Sequence, residues 1–528
     1  MSCRDSISVG LTDELSSVPS GDACVLWHRR DLRLPDNRAV EYATAEYDVV
    51  CPAFLFDPRF YRSTGLACDA RVRFLHECLT DLADAYADAG TSLVYGHGPP
   101  VEILDGALDS GWDVVATRDV TGRYGERRDE TVEARDRVTF VAEDGIRHDQ
   151  ENRDGWQEHA QSYFEASPNR PHESGFGRHA VSAELTPDVV ERVERTYDVD
   201  PSKTAVPSGG RTAALARLDR FLDVLHEYQD HISSPLGAET YASRLSPHLR
   251  FGSLSVREVY RALDDAVDSR GKESFVSRLF WNRHYTQKLA DWSGWMDTAV
   301  NPVLEDLYAS NHDETLIRAW KRGETGFPMV DASMRCLRGT GWLNFRMRAM
   351  CASVFSLVFK QPWQVGADYM YYHLVDADPA INYTQWQSQS GLKGVGALRV
   401  YNPRKQVRDH DLEGTFVKRW VPELEPVPTT HLDRPERMPL HLQDELGVDV
   451  GEDYPYPVVD YDHERETVLE TFTDLREEAR EALRDPEVFR RASLSRQGQS
   501  RQDALQKAHR DDDGEETDQQ ASLERFSE

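Results

Sequence analysis

The sequence predicts an α/β domain with a Rossmann-like parallel sheet followed by an all-α domain, and three observations lead there. Over residues 22 to 145, short apolar, β-branched runs alternate with helical patterns, as strands and crossover helices do in a doubly wound sheet. From Arg211 to about residue 484, helical spacing prevails and strand-like runs are few. Between them, residues 146 to 207 are polar, dotted with Pro and Gly, and carry no sustained period.

Strands are expected at Cys24 to Trp27, Val49 to Phe56, Ser92 to Tyr95, Val114 to Thr117 and Val138 to Val141. In the second half, Leu215, Leu218, Phe221, Leu222 and Leu225 fall on one helical face. The chain thus divides into an α/β domain (22–145), an interdomain connector (146–207), a helical domain (208–485) and a polar tail (486–528), the last expected to be disordered or at most a frayed helix.

Composition narrows the function. A chain of 528 residues with 39% apolar content has ample core for two or three domains. Neither a secretory start nor an apolar stretch long enough to cross a bilayer is present, so a cytoplasmic protein without a membrane partner is expected. The seven cysteines are scattered and never form a CxxC pair, which argues against a disulfide framework and a structural zinc site. Only Cys336 and Cys351 lie in the second half, too few to ligate an iron–sulfur cluster there. A net charge of −30, from 62 basic and 92 acidic residues, would ordinarily repel a polyanion. An acidic, lysine-poor surface also suits life in molar salt, where the screening length falls to about 3 Å. The salt-adapted reading is preferred, and it leaves DNA open as a partner.

Three segments of the helical half carry chemistry. In YASRLSPHLRFG (241–252), Ser246 followed by Pro247 reads as a helix start, where free N–H groups favour an anion such as a pyrophosphate; an ordinary capped helix is the competing reading. GFPMVDASMR (326–335) and GWLNFRMR (341–348) form the second cluster, and DADPAINYTQW (376–386) is the third. Carboxylates two apart, Asp376 and Asp378, would suit a metal, an acid/base pair, a ribose or an arginine. With no histidine or further carboxylate close in sequence, the metal reading is the weaker one.

With VLWHRRDLRLPDN (25–37) and RVYNPRKQ (399–406), these segments resemble the photolyase/cryptochrome family in order and approximate spacing, over about residues 22 to 425. The resemblance implies a FAD held U-shaped in the helical domain. It places Tyr228, Ala242, Ser243, Arg244, Leu245 and Ser246 at the phosphates and neighbouring parts, and Asp376, Ala377 and Asp378 near flavin and ribose. Arg348 is implied to pair with Asp376, since either buried alone would bear a large desolvation cost. Asn382 is implied to face flavin N5, where an amide can hydrogen-bond the protonated nitrogen of reduced flavin.

Trp386 and Trp363 resemble the first two members of the family's electron relay, and the thirteen-residue offset from Trp363 to Asp376 agrees. The third position is Ser310, with Tyr308 the nearest aromatic in sequence. On the substrate side Trp281 keeps the aromatic that stacks beside flipped bases, in a frame that includes Asn282, Tyr285, Arg346 and Gln406. Arg278 replaces the glutamate of cyclobutane-dimer photolyases, Ser388 the second stacking tryptophan and Phe345 the wall asparagine. Phe345 and Ala349 occupy the places of the two histidines of six-four photolyases. Arg399, Arg404, Lys405 and Arg408 are basic residues suited to DNA, though such charges more often form a solvated face.

The implied activities are repair of pyrimidine dimers in DNA by a monomeric photolyase, or blue-light signalling to a protein partner as in cryptochromes. A FAD protein without photochemistry is the third reading. Repair is preferred because the frame around Trp281, Arg346 and Gln406 is retained. An antenna chromophore, deazaflavin or folate, is also implied; Glu126 matches a folate-binding glutamate, but Gly125 replaces the adjacent asparagine.

Overall fold

The computed structural model describes residues 22–61, 65–142, 144–148, 155–172, 175–176, 188–394 and 398–492. Five strands build the N-terminal sheet: β1 (Ala23–His28), β2 (Val49–Phe56), β3 (Val94–His97), β4 (Asp113–Thr117) and β5 (Val138–Val141). All pair in parallel in the order β3-β2-β1-β4-β5, with Val25 opposite Cys51 on one side and Val114 on the other. β1 and β2 are buried throughout because helices cover both faces, which is why they read as unbroken apolar runs. Cys24 and Leu26 enter one core layer while Val25 and Trp27 enter the other.

The third strand starts two residues later than expected. Its ladder with β2 begins at Val94 and runs through Gly96 to His97, so pairing sets the strand, and the glycine had hidden its end. The flanking helices are α1 (Arg38–Glu46), α2 (Asp69–Asp88), α3 (Pro100–Asp109) and α4 (Arg123–Glu133).

Residues 146–207 are more than linker. Helices Trp156–Glu165 and Asp188–Tyr197 lie within them, with Phe164 and Val193 buried in the cores on either side. Each is ten residues long, too short to stand out among the surrounding polar residues. On α5 (Arg211–Val224) and the turn after it, the buried stripe is Ala214, Leu218, Phe221 and Leu225; Leu215, expected on that face, is 40% exposed. Part of the expected tail is helical too, since Pro486–Ala492 forms a helix that buries Val488 and lays Arg491 over Trp292. Residues 493–528 lie outside the described residues.

The helices that matter for the site are α6 (Ser246–Phe251), α7 (Arg270–Asp291), α8 (Pro328–Thr340), α9 (Phe345–Ser353), α10 (Trp363–His373), α11 (Pro379–Gln389) and α12 (Pro403–His410). The N-terminal motif and the SPHLRFG turn dock on one another, which explains why two distant segments carry so much shared pattern. Leu32 N–H donates to Phe251 O at 3.1 Å. Gly252 has φ +72, and a Cβ there would strike the Arg30 carbonyl. Beside this contact Asp36 is fully buried and accepts from Ser255 Oγ and both Nε and Nη2 of Arg257. Removing one partner of such a pair leaves the other charge unpaired at a cost of about 3–5 kcal/mol, so the two domains are held in a fixed relation.

Candidate flavin and light-relay site

The loop 242–245 joins helix Pro235–Tyr241 to α6, with Arg244 at φ +53. Arg217 reaches from α5 to bond the carbonyls of Ser243 (2.7 Å) and Ala242 (2.6 Å), fixing the loop's orientation. The Arg244 guanidinium stacks 3.9 Å from the Trp342 ring centroid, so this residue offers the site its backbone more than its charge. α6 is only six residues long, and Pro247 on its first turn lacks an N–H, so dipole and free amides contribute less to an anion site than the sequence suggested.

Asp376 ties three sequence-distant residues together. Its buried carboxylate accepts from Ser246 Oγ at 2.6 Å and from Arg348 Nη2 at 2.9 and 3.1 Å. Two residues on, Asp378 caps α11 by accepting from the amides of Ala380 (2.8 Å) and Ile381 (3.2 Å), and it pairs with Arg250 at 3.3 Å. Both carboxylates therefore face arginine, and among the described residues no His/Cys/Asp/Glu cluster could hold a metal ion. One turn into α11, Asn382 donates from Nδ2 to Ala367 O at 3.0 Å, which leaves its carbonyl oxygen for another partner.

Around Ser233 lie unsatisfied polar groups. Asn344 donates to Ile232 O (3.1 Å) and Ser233 O (3.2 Å), and Arg346 Nη2 to Ser233 Oγ (3.0 Å). Yet Asn344 Oδ1, Arg346 Nε and, on α12, Gln406 Oε1 are buried without a protein partner among the described residues. Buried polar groups rarely stay unpaired, so a polar ligand is expected there. Separately, the hydroxyls of Ser243 and Ser246 and the oxygen of Asn382 make a donor and acceptor set that fits a dinucleotide such as FAD.

Trp386 and Trp363 are both buried. Trp386 packs on α10 one turn beyond Trp363, where a Cβ on Gly366 would collide with its ring, and it meets Trp320 with centroids 6.0 Å apart. Tyr308 makes no aromatic contact with either among the described residues, and its buried hydroxyl has no hydrogen-bond partner there.

On the substrate side, Arg278, Trp281, Asn282 and Tyr285 line one face of α7 at helical spacing, and Trp281 lies 5.2 Å from the Tyr285 ring. Burial raises the pKa of the Tyr228 phenol against the pull of the nearby Arg278 guanidinium. Asn282 Oδ1 is taken by Arg283, at 2.6 and 3.0 Å. Phe345 is 45% exposed, and Ser388 Oγ is turned back to Thr384 O. Of the basic residues expected toward DNA, Arg404 is buried and paired with Glu436 (3.2 Å), and Arg408 pairs with Asp433 (3.0 Å). Neither is a free phosphate contact.

A cavity of about 890 Å³ opens where the sheet's strand order reverses, beyond the C-terminal ends of β1 and β4. Its wall is rich in arginine, including Arg29, Arg30, Arg59, Arg123 and Arg128, with Tyr371 and Tyr383 on the helical side. Arg30 Nη1 has no protein partner among the described residues. Gly125 is required here by packing, because a Cβ would meet Thr121. Glu126 lies beside Ser293, and burial raises its pKa.

Sequence reasoning missed Arg217, Arg250 and Asn344. The last two stand inside quoted motifs as polar residues among apolar ones, and that was the available signal; Arg217 gave none.

A parallel-sheet domain joined to a helical domain with a Ser–Asp–Arg cradle around the buried Asp376 fits a flavoprotein architecture, and comparison with known proteins agrees. Residues 24–145 match the DNA photolyase family model, and residues 275–474 match the FAD binding domain of DNA photolyase. A deoxyribodipyrimidine photo-lyase of Halobacterium salinarum is 29% identical over 85% of this chain and 98% of its own. A cryptochrome DASH of Natronomonas pharaonis is 30% identical over 84% of this chain and 98% of its own. The solved archaeal photolyase of Sulfolobus tokodaii, described with two FAD molecules, covers 86% of this chain and 100% of its own at TM-score 0.71 and 27% identity. The chain belongs to the photolyase/cryptochrome family.

Proposed function

We propose that this protein is a DNA photolyase that repairs UV-induced pyrimidine dimers, with FAD held between the 242–246 loop and α11. The observation that carries this is the Ser246–Asp376–Arg348 cradle with Asn382 at the next turn. When bound, reduced FAD excited by blue light supplies the electron that opens a dimer and recovers it afterwards. Ser243 and Ser246 give hydroxyls to the phosphates, and the Arg348–Asp376 pair fixes α11 against α9. The Asn382 oxygen accepts a hydrogen bond, so it favours a protonated ring nitrogen beside it. Trp281 offers a stacking face to a flipped base, with Arg346 and Gln406 bearing unpaired polar atoms on the same side. Arg278 donates to a dimer carbonyl or phosphate.

A specific observation favours the second reading, a cryptochrome-like photoreceptor with a signalling partner: Ser388 Oγ is turned back to Thr384 O and Phe345 offers no polar atom, which leaves the pocket short of hydrogen bonds. In the cavity between the domains we place a phosphate-bearing flavin or deazaflavin antenna, because arginines dominate its wall and Glu126 lies beside Ser293. The six described cysteines are free and buried, which suits the reducing cytoplasm to which we assign it, as a monomer.

The test is to illuminate the reduced, FAD-loaded protein in high salt with oligonucleotides carrying either a cyclobutane dimer or a six-four product. Restored thymines from the cyclobutane dimer are expected. No restoration from either, alongside normal flavin photoreduction, sinks repair in favour of signalling.

A further inference from the structure

The relay inherited from the resemblance ends at Trp363, since Ser310 holds the outer position and Tyr308 touches neither tryptophan. An electron hole left at Trp363 has nowhere further to go along that line. The structure shows what else adjoins it. Tyr383 lies with its ring centroid 6.5 Å from that of Trp363, edge to face. It is buried and stacks at 5.7 Å on Tyr371. Its hydroxyl donates to Asp368 Oδ1 at 2.6 Å, the length of a charge-assisted bond, and accepts from Arg123 Nη1 at 3.3 Å.

We propose that Tyr383 is the outer electron donor of this relay and that Asp368 is its proton acceptor. The inference rests on the flavin reading above, with the light-excited oxidised flavin as the oxidant that first takes an electron from Trp386. Trp363 then reduces the Trp386 cation. Tyr383 in turn gives one electron to the Trp363 cation and its phenolic proton to the Asp368 carboxylate. The O–H bond breaks, a carboxyl O–H forms, and a neutral tyrosyl radical remains.

Each partner is suited to its part. A tyrosine gives up an electron far more readily when a base receives its proton, and the acceptor is already within hydrogen-bonding distance. Burial and the Asp368 charge raise the Tyr383 pKa, so the proton stays on the phenol until the ring is oxidised. Asp368 has a 57% exposed side chain and can pass the proton to water. Arg123 stacks 4.8 Å from the ring centroid and also pairs with Asp368 Oδ1 at 3.6 Å, but it bonds Asp297 and Met296 O as well, so the acceptor carboxylate competes for one shared guanidinium and is only partly neutralised.

A rival outlet runs from Trp386 through Trp320 to Tyr369, whose centroid is 5.8 Å from Trp320. Tyr369 donates only to the backbone carbonyl of Lys321, at 2.8 Å, which is not a base. Its ring neighbour His373 is a poor acceptor, because burial, Lys203 and Arg338 lower its pKa to about 3. A purely structural role for Tyr383, clamping α4 to α10 and α11, predicts changes in melting temperature and none in radical chemistry.

Flash photolysis and electron paramagnetic resonance on the full-length, FAD-loaded, oxidised protein distinguish these. A tyrosyl signal should follow the tryptophan signal in the wild type, more slowly in heavy water. Tyr383→Phe should abolish it and leave a tryptophan radical that recombines faster, with FAD content unchanged. Asp368→Asn keeps the ring and should slow tyrosyl formation by about tenfold or more; Tyr369→Phe should change nothing. A tyrosyl signal that survives Tyr383→Phe, or one lost in Tyr369→Phe, overturns the proposal, as does a wild type without one. If the tyrosyl signal behaves as expected while dimers are not restored, repair fails and this outlet stands.

Discussion

His248 sits one turn into the SPHLRFG helix, buried, with Nδ1 unpartnered among the described residues. Burial, with a smaller contribution from Arg217, lowers its pKa to about 4. Between about pH 6.5 and about pH 4 the unfolded chain therefore takes up a proton that the folded chain refuses, so stability falls as pH falls across that window. The full effect is on the order of 3 kcal/mol. His248→Gln should flatten the dependence of the denaturation midpoint on pH there; an unchanged slope would place the acid sensitivity elsewhere. Asn382 is the second residue with a single task. Asn382→Leu should let the reduced flavin reoxidise in air severalfold faster, for a loss of about 1 kcal/mol of hydrogen bonding. Equal reoxidation rates would show that its oxygen does not face the ring.

At the scale of elements, α7 and α11 divide the labour. α11 carries Asp378 at its cap, Asn382 one turn on and Trp386 the turn after, so one helix aligns cofactor and relay. α7 carries Arg278, Trp281 and Tyr285 on one face, the face we propose for substrate. Trp281→Ala should therefore weaken binding of dimer-containing DNA by about 1–3 kcal/mol and leave FAD content intact. A titration with labelled oligonucleotide beside the flavin spectrum reads both, and a loss of FAD in that variant would break the division. Much of this was legible in sequence. Asp376, Asp378, Asn382 and Trp386 stand within eleven residues of one helix, where spacing alone gives their relative placement. What was not legible depended on residues far apart in the chain. The stacking of Arg244 on Trp342 joins residues almost a hundred apart in the chain, and the pairing of Arg404 with Glu436 turns an apparent DNA contact into core. The helices within 146–207 escaped because each is short and leans on cores built by other segments.

For the whole molecule, the parallel sheet and the helical domain followed from alternation and period, whereas the strand order and the docking of the two domains did not. The Asp36–Arg257 pair and the Gly252 contact lie more than 200 residues apart in sequence, and no local pattern announces them. Charge is also a property of this scale. With a net charge of −30 on 528 residues, self-repulsion should weaken the fold in dilute buffer, and screening should restore it. The melting temperature should rise as salt is brought from tens of millimolar toward molar; a fall would contradict salt adaptation. The central claim is that the Ser246–Asp376–Arg348 cradle, built on the buried Asp376, holds the flavin on which every light-driven step depends. Asp376→Ala leaves the half-buried Arg348 without its carboxylate partner, and the flavin should go with the lost carboxylate. The direct measurement is the FAD released on denaturing purified wild-type and Asp376→Ala protein, with circular dichroism to confirm that both are folded. One FAD per wild-type chain and a near-complete loss in the folded variant is the predicted result; full FAD in Asp376→Ala, or none in the wild type, would contradict it.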